Sequence, residues 1–144
     1  IIAVFNMDMF GYDSNDDRCF EIHAGKLPAS LRAADCVTTS IQAYDIDLKA
    51  EVVTELARAF SDHGSFWAVD TGAVLLMQNF FRQNIPGGCG LQDPNPMYHS
   101  TGDTIENLNP SYGFDIARAG IAAAAGLAVA VRPYYRTESI RKPY

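Results

Sequence analysis

The chain has 144 residues, 48% hydrophobic and 19% charged, with 11 Lys+Arg against 17 Asp+Glu for a net charge of −6. That length and apolar content suit one folded domain and exclude a disordered chain, while the acidic balance argues against a nucleic-acid partner, which needs a basic face. Three cysteines are too few for a disulfide scaffold: they permit one bridge at most and leave a thiol over.

In chain order, the apolar and β-branched run Ile1 to Met9 predicts a strand buried on both faces. The chain opens inside this run, without Met or a basic leader, and so reads as a piece cut within a domain. Asp13 to Asp17 is a polar turn, and Cys19 to His23 alternates weakly as a second short strand. Pro28 suits a first helical turn, and Leu31, Ala34, Thr38 and Ile41 keep helical spacing to about Tyr44. Val52 to Leu56 is ambiguous between strand and helix, Ser61 to Ser65 reads as a loop or helix start, and Ala73 to Met77 as a buried strand. Residues 84–96, rich in Gly and Pro, form a long irregular loop, a kind that is often functional. Asn109 as N-cap and Pro110 as first helical residue open a long Ala-rich helix over 114–131. Its small-apolar end, Ala119 to Val131, would cover roughly 20 Å, short of the ~30 Å a bilayer requires, so no membrane span is expected. Residues 132–144 form a basic tail, with Arg132, Arg136, Arg141 and Lys142 against Glu138, and leave residues 1–131 more acidic than the whole. Strands interleaved with helices predict an α/β fold on a mostly parallel sheet.

Asp8 stands at the carboxyl end of the first strand, where open α/β sheets place their ligands. It reads either as a cation ligand or as a turn cap bonded to backbone amides. Asp13, Asn15 and Asp17 imitate half a calcium loop, but Arg18 takes the place of the required Gly and Ala24 that of the closing Glu. Ser61, Asp62 and His63 are adjacent in sequence and so cannot form a hydrolase triad, whose members converge from separate loops. His99 follows the Gly/Pro loop, with Asp103 near enough in sequence to orient its second ring nitrogen. His23 reads as structural, and Cys19, Cys36 and Cys89 lack metal-type spacing.

Three segments in order carry a resemblance. Asn6-Met7-Asp8-Met9-Phe10-Gly11-Tyr12 resembles the N-x-D-M-x-G-Y signature of the co-catalytic zinc aminopeptidase-like family, clan MH, with its bacterial leucyl aminopeptidases and its glutamate carboxypeptidase and transferrin-receptor relatives. Ser61-Asp62-His63-Gly64-Ser65-Phe66 resembles an intervening signature of that family. Tyr98-His99-Ser100-Thr101-Gly102-Asp103-Thr104-Ile105-Glu106-Asn107-Leu108 resembles its second. The likeness spans residues 1 to about 131.

This resemblance implies a three-layer αβα sandwich and hydrolysis of peptide bonds, removing N-terminal residues, by water activated between two zinc ions. Asp8 maps onto a ligand of one ion and His99 onto a ligand of the other, with Ser61, Asp62, His63 and Asp103 as supports. Tyr98, Arg58 and the loop 84–97 map onto the pocket wall. In the family a His, a bridging Asp, a Glu ligand and the Glu general base precede this strand. The resemblance thus implies only the C-terminal half of a domain, no catalytic base in this chain, an inactive isolated chain and a missing N-terminal half as partner. Arg58 stands where the family often has a Tyr that donates to the scissile carbonyl. A catalytically silent interaction module and glutaminyl-cyclase-like chemistry on one zinc are the alternatives. Secreted, periplasmic or ectodomain placement is common in the family.

Overall fold

The computed structural model describes residues 1–81 and 85–128, which form β1 (Val4–Met7), β2 (Cys19–His23), α1 (Pro28–Ala43), β3 (Lys49–Val53), α2 (His63–Trp67), β4 (Ala73–Gln78) and α3 (Pro110–Leu127). The four strands make one sheet in the order β1-β4-β2-β3. β1 pairs with β4 and β2 with β3 in parallel, while β2 and β4 run antiparallel at the centre. This is the mixed, mostly parallel α/β sheet that the sequence predicts.

Alternation along the strands splits the sheet into two unlike faces. Phe20, Ile22, Val74 and Leu76 point to one side and form the core with Ala33, Ala34, Val37 and Ile41 of α1 and Ile116, Ala119 and Ala123 of α3. Small residues let α3 ride close to the sheet: a Cβ at Gly120 would meet Leu76 Cδ1 at 3.0 Å. The opposite face carries Glu21, His23, Glu51, Leu75 and Met77, all buried. It lies under the short α2 and the loops on either side of it, so helix, sheet and helix-plus-loop stack as three layers.

Both long helices start where the sequence places them. Pro28 and Pro110 sit in the first turns, and the Asn109 side chain accepts from the Tyr112 amide at 3.2 Å. Two expectations need correction. The first strand is four residues long, half-buried and at the sheet edge rather than covered on both faces, with Ile1 and Ile2 exposed. The reason is positional: an apolar strand with one neighbour keeps an open side. The second helix ends at Leu127, with Ala128 already extended at its C-cap, not at 131. Residues 129–131 and the basic tail 132–144 lie outside the described residues.

Candidate active site

β1 ends by delivering Asp8 to the carboxyl edge of the sheet, its amide still bonded to Leu76 O at 3.2 Å. Met9 then turns into the left-handed region (φ 53°), an uncommon conformation for a side-chain-bearing residue. The Asp8 carboxylate is left exposed. Ser61 Oγ donates to its Oδ2 at 2.7 Å and itself accepts from Asn6 Nδ2 at 2.7 Å. Asn6, Ser61 and Asp8 therefore form one polar chain that joins the first and intervening motifs and fixes the carboxylate's orientation.

Asp62 is the exposed N-cap position of α2 and makes no side-chain cap. His63 is fully buried. Its Nε2 donates to the Arg58 carbonyl at 2.6 Å, its Nδ1 has no partner, and its ring meets Trp67 edge-on at 4.5 Å. Burial above all holds this imidazole below its ordinary pKa. His63 thus shapes the loop before it and does not face the cleft.

The last motif lies across the cleft. His99 is exposed and left-handed (φ 58°), and its ring stacks on Tyr98 at 3.7 Å. Tyr98 in turn packs edge-on against Phe80 at 5.4 Å. Asp103 does not take up the orienting bond expected of it: its Oδ1 accepts from Asn95 Nδ2 at 2.8 Å, which ties the loop ends together. Asp8, Arg58, Ser61 and Tyr98 share one cleft of about 80 Å³, walled by Phe60, Leu75, Met77, Phe80 and Phe81. A larger, mostly apolar cavity of about 370 Å³ adjoins it, with Met9 and Tyr98 lining both. The smaller cleft holds the candidate carboxylate and the Arg58 cation, while His99 lines neither.

Sequence reasoning missed the frame beneath this cleft. Glu21 and His23, fully buried, pair at 2.6 Å. His23 Nδ1 accepts from the Arg58 amide at 2.9 Å, and Glu21 Oε1 accepts from the Phe81 amide at 2.6 Å. Glu51, opposite Glu21 in register, accepts from the Cys89 amide. Gly88 leaves room for the Glu51 carboxylate, which a Cβ at that position would overlap. The available signal was polar residues at alternate positions of an apolar strand, which marks a buried polar face as readily as a solvent face.

Carboxylate and imidazole are donors that zinc accepts. Among the described residues neither Asp8 Oδ1 nor the His99 ring has a hydrogen-bond partner, so each fits as a single ligand. Among the described residues, however, no three His, Cys, Asp or Glu side chains gather as a metal site.

No protein-family model and no curated protein matches the sequence. Solved structures do. The chain is similar to BSAP, a zinc aminopeptidase from Bacillus subtilis, with 17% identity and TM-score 0.64, covering 86% of this chain and 27% of that one. Two structures of the LapA aminopeptidase of Legionella pneumophila align at 20% and 21% identity with TM-scores of 0.64 and 0.66, covering 92% and 89% of this chain and 32% of each of theirs. The fold is aminopeptidase-like. The chain spans about a third or less of the length of these proteins.

Proposed function

We propose that this chain contributes part of the active site of a zinc-dependent peptidase of the aminopeptidase type, with Asp8 and His99 each giving one ligand to one of two zinc ions. The observation that supports this most is the Asn6–Ser61–Asp8 chain, which aims an exposed carboxylate at a cleft facing the His99 loop, on a fold like that of zinc aminopeptidases. Zinc, when bound, acidifies a water and polarises a carbonyl. The chain's own residues do the remainder. Ser61 holds Asp8 by donating to one carboxylate oxygen and leaves the other for the metal. Tyr98 backs the His99 ring, and Phe60, Phe80 and Phe81 give an apolar wall that the peptide would meet. Asp62, His63 and Asp103 support the two loops. The remaining ligands and the general base belong, in this reading, to a preceding half of the domain.

The test is zinc content after dialysis together with aminoacyl-amide hydrolysis, in the protein that contains this chain. Asp8→Ala and His99→Ala should each lose bound zinc and essentially all turnover. Ser61→Ala should weaken zinc binding by about 10–100-fold, as loss of a ligand's supporting hydrogen bond does. Full zinc occupancy in both ligand variants would remove the proposal.

A further inference from the structure

The cleft contains a cation that no described residue neutralises. Among the described residues the Arg58 guanidinium has no carboxylate within ion-pair distance, although this chain has 17 acidic residues against 11 basic ones. Arg18 pairs with Asp47 and Asp115, Arg118 with Asp115, and Lys26 with Glu55; Arg32 and Lys49, both exposed, have no described ion pair either, but neither lines the cleft. Asp8 lines the same cleft, but its described bond goes to Ser61.

The backbone around Arg58 is unusually constrained for an exposed residue. Its amide donates to His23 Nδ1 at 2.9 Å and its carbonyl accepts from His63 Nε2 at 2.6 Å, and both histidines are fully buried. Glu21 fixes His23 from behind and also accepts from the amide of Phe81. The same buried carboxylate therefore sets the cation and one aromatic wall of the cleft. The guanidinium carbon lies 5.5 Å from the Phe81 ring centre and 5.9 Å from that of Phe60. A guanidinium stacked on aromatic faces keeps its in-plane N–H donors free, and their fork matches a carboxylate. The rest of the wall is mostly apolar, so few other polar groups there compete for the guanidinium.

We infer that Arg58 is a specificity determinant that selects a peptide carrying a carboxylate, on a side chain or at its C-terminus, in the residue seated in this cleft. The inference rests on the peptidase reading for its choice of a peptide ligand. A group positioned by buried histidines and left without a counter-charge is supplied with one by what binds.

The experiment compares matched peptide pairs on the zinc-loaded protein that contains this chain: Glu against Gln as first residue, Glu against Gln as second residue, and dipeptide acid against dipeptide amide. Both kcat/KM and calorimetric binding are read. One pair should favour its acid member by at least about tenfold, the worth of a charge-assisted hydrogen bond. Arg58→Met should collapse that ratio to near one, and Arg58→Lys should retain part of it. The pair that responds distinguishes a side-chain from a terminal carboxylate. Acid preference that depends on Arg58 in binding, with no peptide cleaved, upholds the inference and removes the peptidase reading. Cleavage without acid preference, or an equal loss on every pair in Arg58→Met, overturns the inference and leaves the peptidase reading standing. No selective binding and no cleavage overturns both. Melting curves of the variants show that the fold is intact, which is expected because the Arg58 side chain is exposed.

Discussion

Hydrogen-bond logic at single residues assigns the buried histidines their protons. His63 Nε2 faces a carbonyl and must carry hydrogen, while His23 Nδ1 faces an amide and must lack it, so its Nε2 donates to Glu21. Burial, which outweighs the bond to the Arg58 carbonyl, keeps His63 neutral at pH values where a free imidazole takes a proton. The sign follows from linkage. An unfolded chain protonates His63 near pH 6.5, whereas the native ring resists until lower pH, so the contribution is intact above that value and lost as pH falls. Stability measured by urea unfolding should therefore decline from pH 7 to pH 5. His63→Gln, whose amide can still donate to the Arg58 carbonyl, should flatten that slope. An unchanged slope would show that His63 protonates in place. Asp8, Ser61 and His99 became candidates in the sequence because they stand in motifs, and the structure adds the bond between Ser61 and Asp8. Glu21 and Glu51 were not, because their partners are backbone amides of Phe81 and Cys89, far along the chain and in no motif.

Among the elements, helices announced themselves through local chemistry: Pro28, Asn109 and Pro110 mark their own ends, and a cap needs only its neighbours. Strand order did not, because the antiparallel contact of β2 with β4 is a tertiary choice. Nor did the covering of the polar sheet face. Composition permits one disulfide without naming it, and the pair is Cys19–Cys89, separated by 70 residues, with Cys36 left free. That bridge ties the Gly/Pro loop to the first residue of β2. The loop is anchored further where Ser14 donates to Asp93 at 2.5 Å and 2.6 Å, and where the Cys89 amide meets Glu51. Closing so long a loop is worth about 2–4 kcal/mol through restriction of the unfolded chain. Cys19→Ala with Cys89→Ala, or a reducing agent, should lower stability by that order and open residues 85–95 to protease first. A double variant as stable as the parent, with that loop still resistant, would assign the anchoring to the side-chain bonds alone.

For the molecule as a whole, one sheet edge sets the terms. β1 is bonded on one side to β4, and on its other side no described strand pairs with it. Ile1 and Ile2 are 91% and 66% exposed. An apolar parallel strand with a free ladder is a template for another chain. Asp8 projects from the end of this same strand. Among the described residues no group of three His, Cys, Asp or Glu side chains gathers around it, so in the proposed reading further ligands come from beyond the free edge. Three protein ligands are the usual complement of a catalytic zinc, and under the proposed assignment this chain offers one to each ion. The 144-residue chain purified alone should therefore hold well under one zinc per molecule after dialysis, hydrolyse no aminoacyl amide, and self-associate as concentration rises. Sedimentation and metal analysis check these outcomes together. The amides of Val4 and Asp8 donate to Gly72 O at 3.0 Å and Leu76 O at 3.2 Å across to β4, so the alternate amides of Phe5 and Met7 face the free edge. Phe5→Pro therefore removes a free-edge donor and keeps the Val4 bond, at the cost of a ring that packs against the core. Ile2→Lys, which charges the exposed end and spares that ring, is its control. Loss of association in Ile2→Lys with melting unchanged would assign self-association to the β1 edge. A monomer holding two tightly bound zinc ions would instead mean that the ligands lie within these residues and that the edge needs no partner.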